Sequence, residues 1–108
     1  MKAFDYLNMP AGEEIDILVA RNVLGHTVQQ DSSGQWFEGF TSLARYSDSL
    51  QSAWNAAERV ISTKNAFYTV SRNGTQWMAE FQINKVRQFA FADTAPLAIC
   101  RAALLAVR

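Results

Sequence analysis

Residues that could do chemistry are few in this chain. His26 is the only histidine and Cys100 the only cysteine among 108 residues. A zinc site of the usual composition would therefore have to recruit carboxylates, and none lies near His26 at ligand spacing. Cys100 falls on the apolar stripe of a predicted C-terminal helix, where a buried thiol behaves as a small hydrophobic side chain. We expect no metal site here.

Motifs of the common enzyme classes are also missing from the sequence. It has no phosphate-binding glycine loop, no nucleophile elbow and no histidine-centred triad. The adjacent acids Glu13 and Glu14 lie in the first turn of a predicted helix, where the helix dipole favours negative charge. Asn73-Gly74-Thr75 matches a glycosylation acceptor, but a hairpin turn explains it equally well. We therefore expect no catalytic residues, no cofactor and no enzymatic activity.

The other residues that could have a function are suited to binding rather than to catalysis. Between residues 26 and 46, large aromatic side chains stand among glycine and polar residues, with no periodicity that assigns them inward. Rigid aromatic rings in such segments can anchor a partner, and arginines can hold an anion. The candidate binding residues are Trp36, Phe40, Arg45, Tyr46 and Arg72. Each also has a structural explanation, since loop aromatics pack beneath their loop and arginines lie along surfaces.

Composition narrows the class of partner. Ten basic and ten acidic residues give no net charge, which removes the broad attraction that drives sequence-independent nucleic-acid binding. Balanced charge also permits self-association, so we expect a homo-oligomer. No apolar run reaches the roughly 20 residues of a membrane span, and the N-terminus has no signal-peptide core. We expect one cytoplasmic domain covering residues 1–108, with no membrane partner.

Three helices are predicted from apolar spacing and end signals. The first covers residues 8–25, begins at Asn8 and ends at Gly25. The second runs from about 47 to 61, with Ser47 or Asp48 as its cap. The third follows Asp93 or Thr94 and is apolar around most of its circumference, so it is predicted to be the buried packing centre of the domain.

A hairpin is predicted around Asn73-Gly74, the preferred pair for a two-residue type I′ turn. That turn places Val70 opposite Trp77 and Tyr68 opposite Ala79 on one apolar face. Trp77, and Trp54 on the second helix, are predicted to lie in the core.

A further strand, Val86–Ala92, follows the short connection Asn84-Lys85. If those two residues form the whole turn, Phe89 and Phe91 lie on the opposite, mixed face of the sheet with Phe67 and Met78. The sequence does not decide whether residues 35–40 form a strand or a loop.

These elements predict an α+β fold in the order α-(β)-α-β-β-β-α. Three apolar-faced helices are more than one face of a small sheet can bury. We therefore expect an antiparallel sheet of three to four strands with helices packed on both faces, an α-β-α sandwich.

Four stretches of sequence resemble the phage ABA sandwich domain family, small proteins of bacteriophages and prophages. They are LVARNVLG at 18–25, YSDSLQSAW at 46–54, WMAEF at 77–81 and APLAICRAAL at 95–104. The family name implies helices on both sides of a sheet, and the resemblance implies no catalytic residues. The sequence departs from the usual family pattern at His26, where members often have an aromatic, and at Arg45, where a proline often stands.

With no catalytic groups, the resemblance favours a non-enzymatic phage accessory protein that binds a host ligand or a host protein. One form is counter-defence, in which an oligomer sequesters a nucleotide-type immune signal between its subunits. The alternative is a structural or self-assembly domain without a small-molecule ligand. The helix, hairpin, strand and final helix are also similar to double-stranded RNA-binding domains. Zero net charge and the lack of a lysine cluster before the last helix argue against nucleic acid.

Overall fold

The computed structural model describes residues 2–108, which form helices, one π-helical turn and six strands. The helices are α1 (Ala3–Asn8), α2 (Glu13–Leu18), α3 (Leu50–Lys64) and α4 (Ala95–Val107), and the π-helical turn Val19–Val23 continues α2. The strands are β1 (Val28–Gln30), β2 (Trp36–Glu38), β3 (Thr41–Ser42), β4 (Phe67–Asn73), β5 (Gln76–Ile83) and β6 (Val86–Ala92).

The strands form two antiparallel sheets, in the orders β1-β2-β3 and β4-β5-β6. The α+β class is confirmed. Residues 35–40, for which the sequence leaves strand and loop open, contain strand β2, the centre of a small meander that is separate from the main sheet. None of the helices in residues 2–108 has both the length and the apolarity to cross a membrane.

Helix α4 is the packing centre, as predicted. It contacts α1, the π-helical turn, α3, β5 and β6. Its buried residues are Leu97, Ala98, Ile99, Cys100, Ala102, Ala103, Leu104 and Leu105. Alanine at three of these positions lets neighbouring elements approach the helix axis closely, so a 13-residue helix can serve as the common core.

The first predicted helix begins too early. Residues up to Asn8 form the separate helix α1, and Met9 before Pro10 is extended, because proline disfavours the helical conformation in the residue preceding it. Helix α2 starts only after Gly12, whose φ of 144° suits glycine. The predicted end is correct: Gly25, with φ 69°, follows the π-helical turn.

The predicted caps of α3 are also wrong. Ser49 is the N-cap, and its hydroxyl accepts a hydrogen bond from the Ser52 amide at 3.3 Å. Ser47 is fully buried and bonded instead to the start of α2, so it cannot serve α3. The helix ends at Asn65, which has left-handed φ and ψ, rather than near Ile61. Thr94 occupies the predicted cap position of α4 without a side-chain hydrogen bond.

In the β4-β5 hairpin each side chain lies on its predicted face of the sheet, but the two strands pair in a different register. Asn73 pairs with Gln76, so the turn is Gly74-Thr75 and Tyr68 faces Phe81 rather than Ala79. Only the first turn residue has positive φ, 67° at Gly74, which glycine adopts more easily than asparagine. Because the slip equals two residues on the partner strand, every side chain keeps its predicted face.

The β5-β6 turn is confirmed. Asn84 and Lys85 both have positive φ, and Ile83 pairs with Val86 on either side of them. Phe91 therefore lies directly opposite Met78. This places Phe89 and Phe91 on the face that carries Phe67, as the two-residue turn required.

The two faces of the main sheet differ in burial. One is covered by helices, chiefly α4, and buries Ala79, Phe81, Ala90 and Ala92. On the other, here named the open face, Phe67, Phe89 and Phe91 are 77%, 47% and 36% exposed. Helices were expected over both faces, whereas residues 2–108 leave the open face in solvent.

Helix α3 packs mainly on α4, and its buried face is narrow, consisting of Ala53, Ala56, Ala57 and Val60. Leu50 and Trp54 are 58% and 43% exposed, which corrects the prediction that Trp54 is a core residue. They line an apolar groove of about 380 Å³, in which the rings of Trp54 and Tyr68 lie 5.6 Å apart. Trp77, the second tryptophan predicted to be in the core, is half-buried.

Candidate functional site

A cleft of about 390 Å³ lies between the start of α2 and the small meander, and is here named the acidic cleft. Strand β2 contributes Trp36 to it, and the segment between β3 and α3 contributes Arg45. The lining residues are Gly12, Glu13, Asp16, Gln35, Trp36, Ser42, Leu43, Arg45 and Asp48. Two of the five predicted binding residues thus lie in one concave site.

Glu38 holds the meander in shape. Its carboxylate is buried and accepts hydrogen bonds from His26 Nδ1, the Tyr46 hydroxyl and the Ala44 amide. Burial raises the pKa of Glu38, but the bonds from Tyr46, His26 and Ala44 outweigh it and hold the pKa below its ordinary value. An ionised, fully bonded carboxylate therefore joins β2 to the segments before and after the meander.

Tyr46 belongs to this support rather than to the surface. It is 4% exposed, and burial together with the neighbouring Glu38 carboxylate raises the pKa of its hydroxyl well above the ordinary value. The aromatic ring packs with the core and the hydroxyl donates to Glu38. Tyr46 is one of the predicted binding residues, and the structure places it in the core with its hydroxyl on Glu38.

Asp16 and Ser47 fix the other wall of the acidic cleft. The Asp16 carboxylate accepts from the Ser47 amide at 2.8 Å, and the Ser47 hydroxyl accepts from the Gly12 amide at 3.0 Å. Asp16 is only 5% exposed, and burial raises its pKa, against the lowering effect of the bonds from Ser47. The start of α2 is therefore tied to the segment leading into α3.

The charges around the acidic cleft are unequal. Three carboxylates, those of Glu13, Asp16 and Asp48, line it with a single guanidinium. That guanidinium, on Arg45, already donates to Asp48 at 2.8 Å. A ligand group that donates hydrogen bonds or carries positive charge fits this lining better than a phosphate does. Trp36, half-buried beside these groups, offers an aromatic surface for stacking.

Two predicted binding residues lie elsewhere. Phe40 is fully solvent-exposed on the two-residue turn between β2 and β3 and does not line the acidic cleft. Arg72 belongs to the β4-β5 hairpin, where its guanidinium carbon lies 5.7 Å from the centre of the Trp77 ring and its Nε donates to the Gly74 carbonyl. Neither residue joins Trp36 and Arg45.

Asp16, Glu38 and Ser47 were not identified as site residues from sequence. Asp16 follows Glu13 and Glu14 closely, where the helix dipole is enough to account for an acidic residue, and the predicted role of Ser47 is as a cap of α3. The sequence shows no carboxylate partner near His26, because Glu38 is twelve residues away, and only the antiparallel pairing of β1 with β2 brings the two together. Antiparallel pairing of the short strands around the turn cluster at 31–34 was the signal that could have found it.

Reactive groups of other kinds are sparse in the structure. Cys100 is completely buried, and burial raises the pKa of its thiol far above the ordinary value, so the sulfur stays protonated. Over residues 2–108, no group of three histidine, cysteine, aspartate or glutamate side chains is placed to hold a metal ion.

Comparison with known proteins gives a family and a fold. Residues 17–104 match the family described as the phage ABA sandwich domain. A phage protein from Bacillus cereus ATCC 14579, whose crystal structure was solved at 2.0 Å, is similar over 93% of this chain and 95% of its own, with a TM-score of 0.71 and 24% identity. That likeness shows a shared fold. No curated protein matches the sequence. The family match runs from the end of α2 into α4 and covers well over half of the chain, so the chain belongs to the phage ABA sandwich domain family.

Proposed function

We propose that this phage protein is a non-enzymatic accessory protein that binds a host ligand or host protein through the acidic cleft. The observation that supports this most directly is the meeting of Trp36 and Arg45, predicted separately as binding residues, in one concave site. Clefts that combine an aromatic surface with a few polar groups are the usual form of a binding site.

Rigidity of the cleft walls supports the same proposal. Glu38 bonds to both flanks of the meander, and Asp16 with Ser47 fixes the opposite wall. A site that is already ordered before binding loses less conformational entropy when the ligand arrives. The ordered groups present carboxylate oxygens, so the ligand contributes hydrogen-bond donors.

The narrower form of the proposal is counter-defence by sequestration of a nucleotide-type immune signal. A nucleobase could stack on Trp36 while its exocyclic amino group donates to Asp16 or Glu13. The phosphates would then have to point out of the acidic cleft, because its lining holds three carboxylates against one guanidinium, and that guanidinium is already paired with Asp48. On this arrangement the base, rather than the phosphate, determines recognition.

Native mass spectrometry with bacterial signalling nucleotides and the matching nucleosides tests this form. Retention of a nucleotide by the wild-type protein, together with at least ~10-fold weaker binding by Trp36→Ala, is the expected result. Phe40→Ala is the matched control, because Phe40 is an aromatic residue of the same meander outside the cleft. If no nucleotide or nucleoside is retained, sequestration of a nucleotide signal is ruled out, and binding of a host protein is the version of the proposal that is kept.

A second candidate is a structural or self-assembly domain without a small-molecule ligand. The open face of the main sheet favours it, because three phenylalanines there are left in solvent. Antiparallel sheets that face water on one side usually carry polar residues on that side.

A further inference from the structure

The open face concentrates its apolar side chains on two strands. Phe91 lies directly opposite Met78, and the rings of Phe91 and Phe89 make an edge-to-face contact with centres 6.0 Å apart. Phe67 lies at the far corner, on β4. Covering these side chains would remove substantial apolar surface from water, at about 25 cal/mol per Å².

Charge on the open face is already neutralised. Glu80 and Arg87 are its only ionisable residues, and the guanidinium donates to both carboxylate oxygens. The face therefore has no net charge for an oppositely charged partner to complement. A second copy brings the same internally paired charges, and the whole chain has no net charge that would repel it.

The register makes the open face complementary to itself. Cross-strand neighbours form rows that run from β4 through β5 to β6. One row is Ser71, Met78 and Phe91, and the next is Thr69, Glu80 and Phe89. A twofold axis along β5 sets β6 of one copy across β4 of the other. Phe91 then meets Ser71 and Phe89 meets Thr69, so each ring faces a short side chain. Each Glu80 leans away from the axis toward its own Arg87.

The edge of β6 is less suited to pairing with another chain. The Arg101 guanidinium donates to the outward carbonyl of Phe91 at 2.8 Å, while its Nε donates to the Met9 carbonyl at 2.9 Å. An added strand would have to displace this side chain. Association through the face leaves both bonds in place.

We propose that two copies of this chain pack their open faces together, forming a helix-sheet-sheet-helix homodimer. Three strands of about seven residues give a contact of roughly 14 by 23 Å, a flat area of about 320 Å² that ignores the relief of the side chains. Standard interfaces bury about 800 Å² per partner, so we expect this smaller contact to give a weak dimer, with a dissociation constant of about 10 µM or above. The acidic cleft takes no part in this contact.

Sedimentation velocity over protein concentrations from about 1 to 200 µM brackets such a dissociation constant. The wild-type protein should shift from monomer to dimer across this range. Phe89→Glu places two uncompensated carboxylates in the contact and should raise the dissociation constant at least ~100-fold. Phe40→Glu is the matched control, since it adds the same charge at another exposed phenylalanine away from the sheet, and it should dimerise like wild type.

Three results would overturn the homodimer: a wild-type protein that stays monomeric at the highest concentration, a Phe89→Glu variant that still dimerises, or a Phe40→Glu variant that does not. Circular dichroism of Phe89→Glu at low protein concentration shows whether the variant is folded, so that loss of the dimer can be told apart from loss of the fold. Because Phe89 is exposed in the single chain, the variant should fold with a thermal midpoint close to that of the dilute wild-type protein. Loss of the fold would instead place Phe89 in the core and contradict the exposed face.

Discussion

At the scale of single residues, the site depends on polar side chains that the sequence leaves inconspicuous. Glu38 is one of ten acidic residues, and nothing in its local sequence marks it as buried. Its importance comes from three donors that arrive from positions 26, 44 and 46. A buried carboxylate is tolerated only when such bonds replace its hydration. Aromatic residues and arginines are easier to single out from sequence, which is why Trp36 and Arg45 are candidates there and Glu38 is not.

Replacing Glu38 with glutamine tests this support. The amide keeps the volume but loses the charge and brings an NH₂ group that finds no acceptor where His26 and Tyr46 donate. We expect a loss of about 1 to 3 kcal/mol in the free energy of unfolding at pH 7, measured by urea titration. Glu58→Gln, on the exposed face of α3, is the control and should change stability little.

The free energy of unfolding of wild type and Glu38→Gln should also depend differently on pH. The folded pKa of Glu38 lies below the ordinary value of 4.5, so its contribution to stability is complete above that value and is lost as pH falls through the folded pKa. The difference in unfolding free energy between wild type and Glu38→Gln should therefore shrink on going from pH 7 to below about pH 4. A difference that stays constant over this range would mean that the carboxylate charge does not support the fold.

At the scale of elements, spacing of apolar residues located α3, β6 and α4, since each has a regular pattern and a clear end signal. The predicted ends of helices and turns are wrong where a residue has two possible hydrogen-bonding or pairing partners. Ser47 could cap α3 but bonds to Gly12, and Asn73 could begin a turn but pairs with Gln76. Local sequence cannot choose between such partners, because the choice is made by elements distant in the chain. Trp54 is predicted inward from its spacing, but the buried face of α3 is formed by small residues and Val60, and Trp54 lies beside that face at 43% exposure.

Replacing Leu104 with alanine tests whether α4 is the packing centre. Leu104 is 1% exposed in the middle of the buried helix, so the change removes buried methyl groups and leaves a cavity. The expected cost is about 2 to 5 kcal/mol in unfolding free energy. Leu50→Ala, at an exposed leucine on α3, should cost far less. A loss below ~0.5 kcal/mol for Leu104→Ala would show that the core lies elsewhere.

At the scale of the whole molecule, the α+β class and the element order from α3 onward could be predicted, because the alternation of strand residues and the helix stripes agree with each other. The separation into two sheets could not, since β1, β2 and β3 have only two or three residues each and carry little periodic signal. Trp36 and Arg45 lie in the acidic cleft because that small sheet turns back toward α2. The site is therefore a property of the fold rather than of any motif.

The most direct measurement of the central proposal is native mass spectrometry of the protein purified gently from bacterial cells that express it. The wild-type protein should carry a bound small molecule or host protein, Phe40→Ala should carry the same species, and Trp36→Ala should lose it. Trp36 is half-buried, so each variant is first shown to be folded by circular dichroism. If folded Trp36→Ala retains the same species as the wild-type protein, or if the wild-type protein carries none, the acidic cleft is not the binding site.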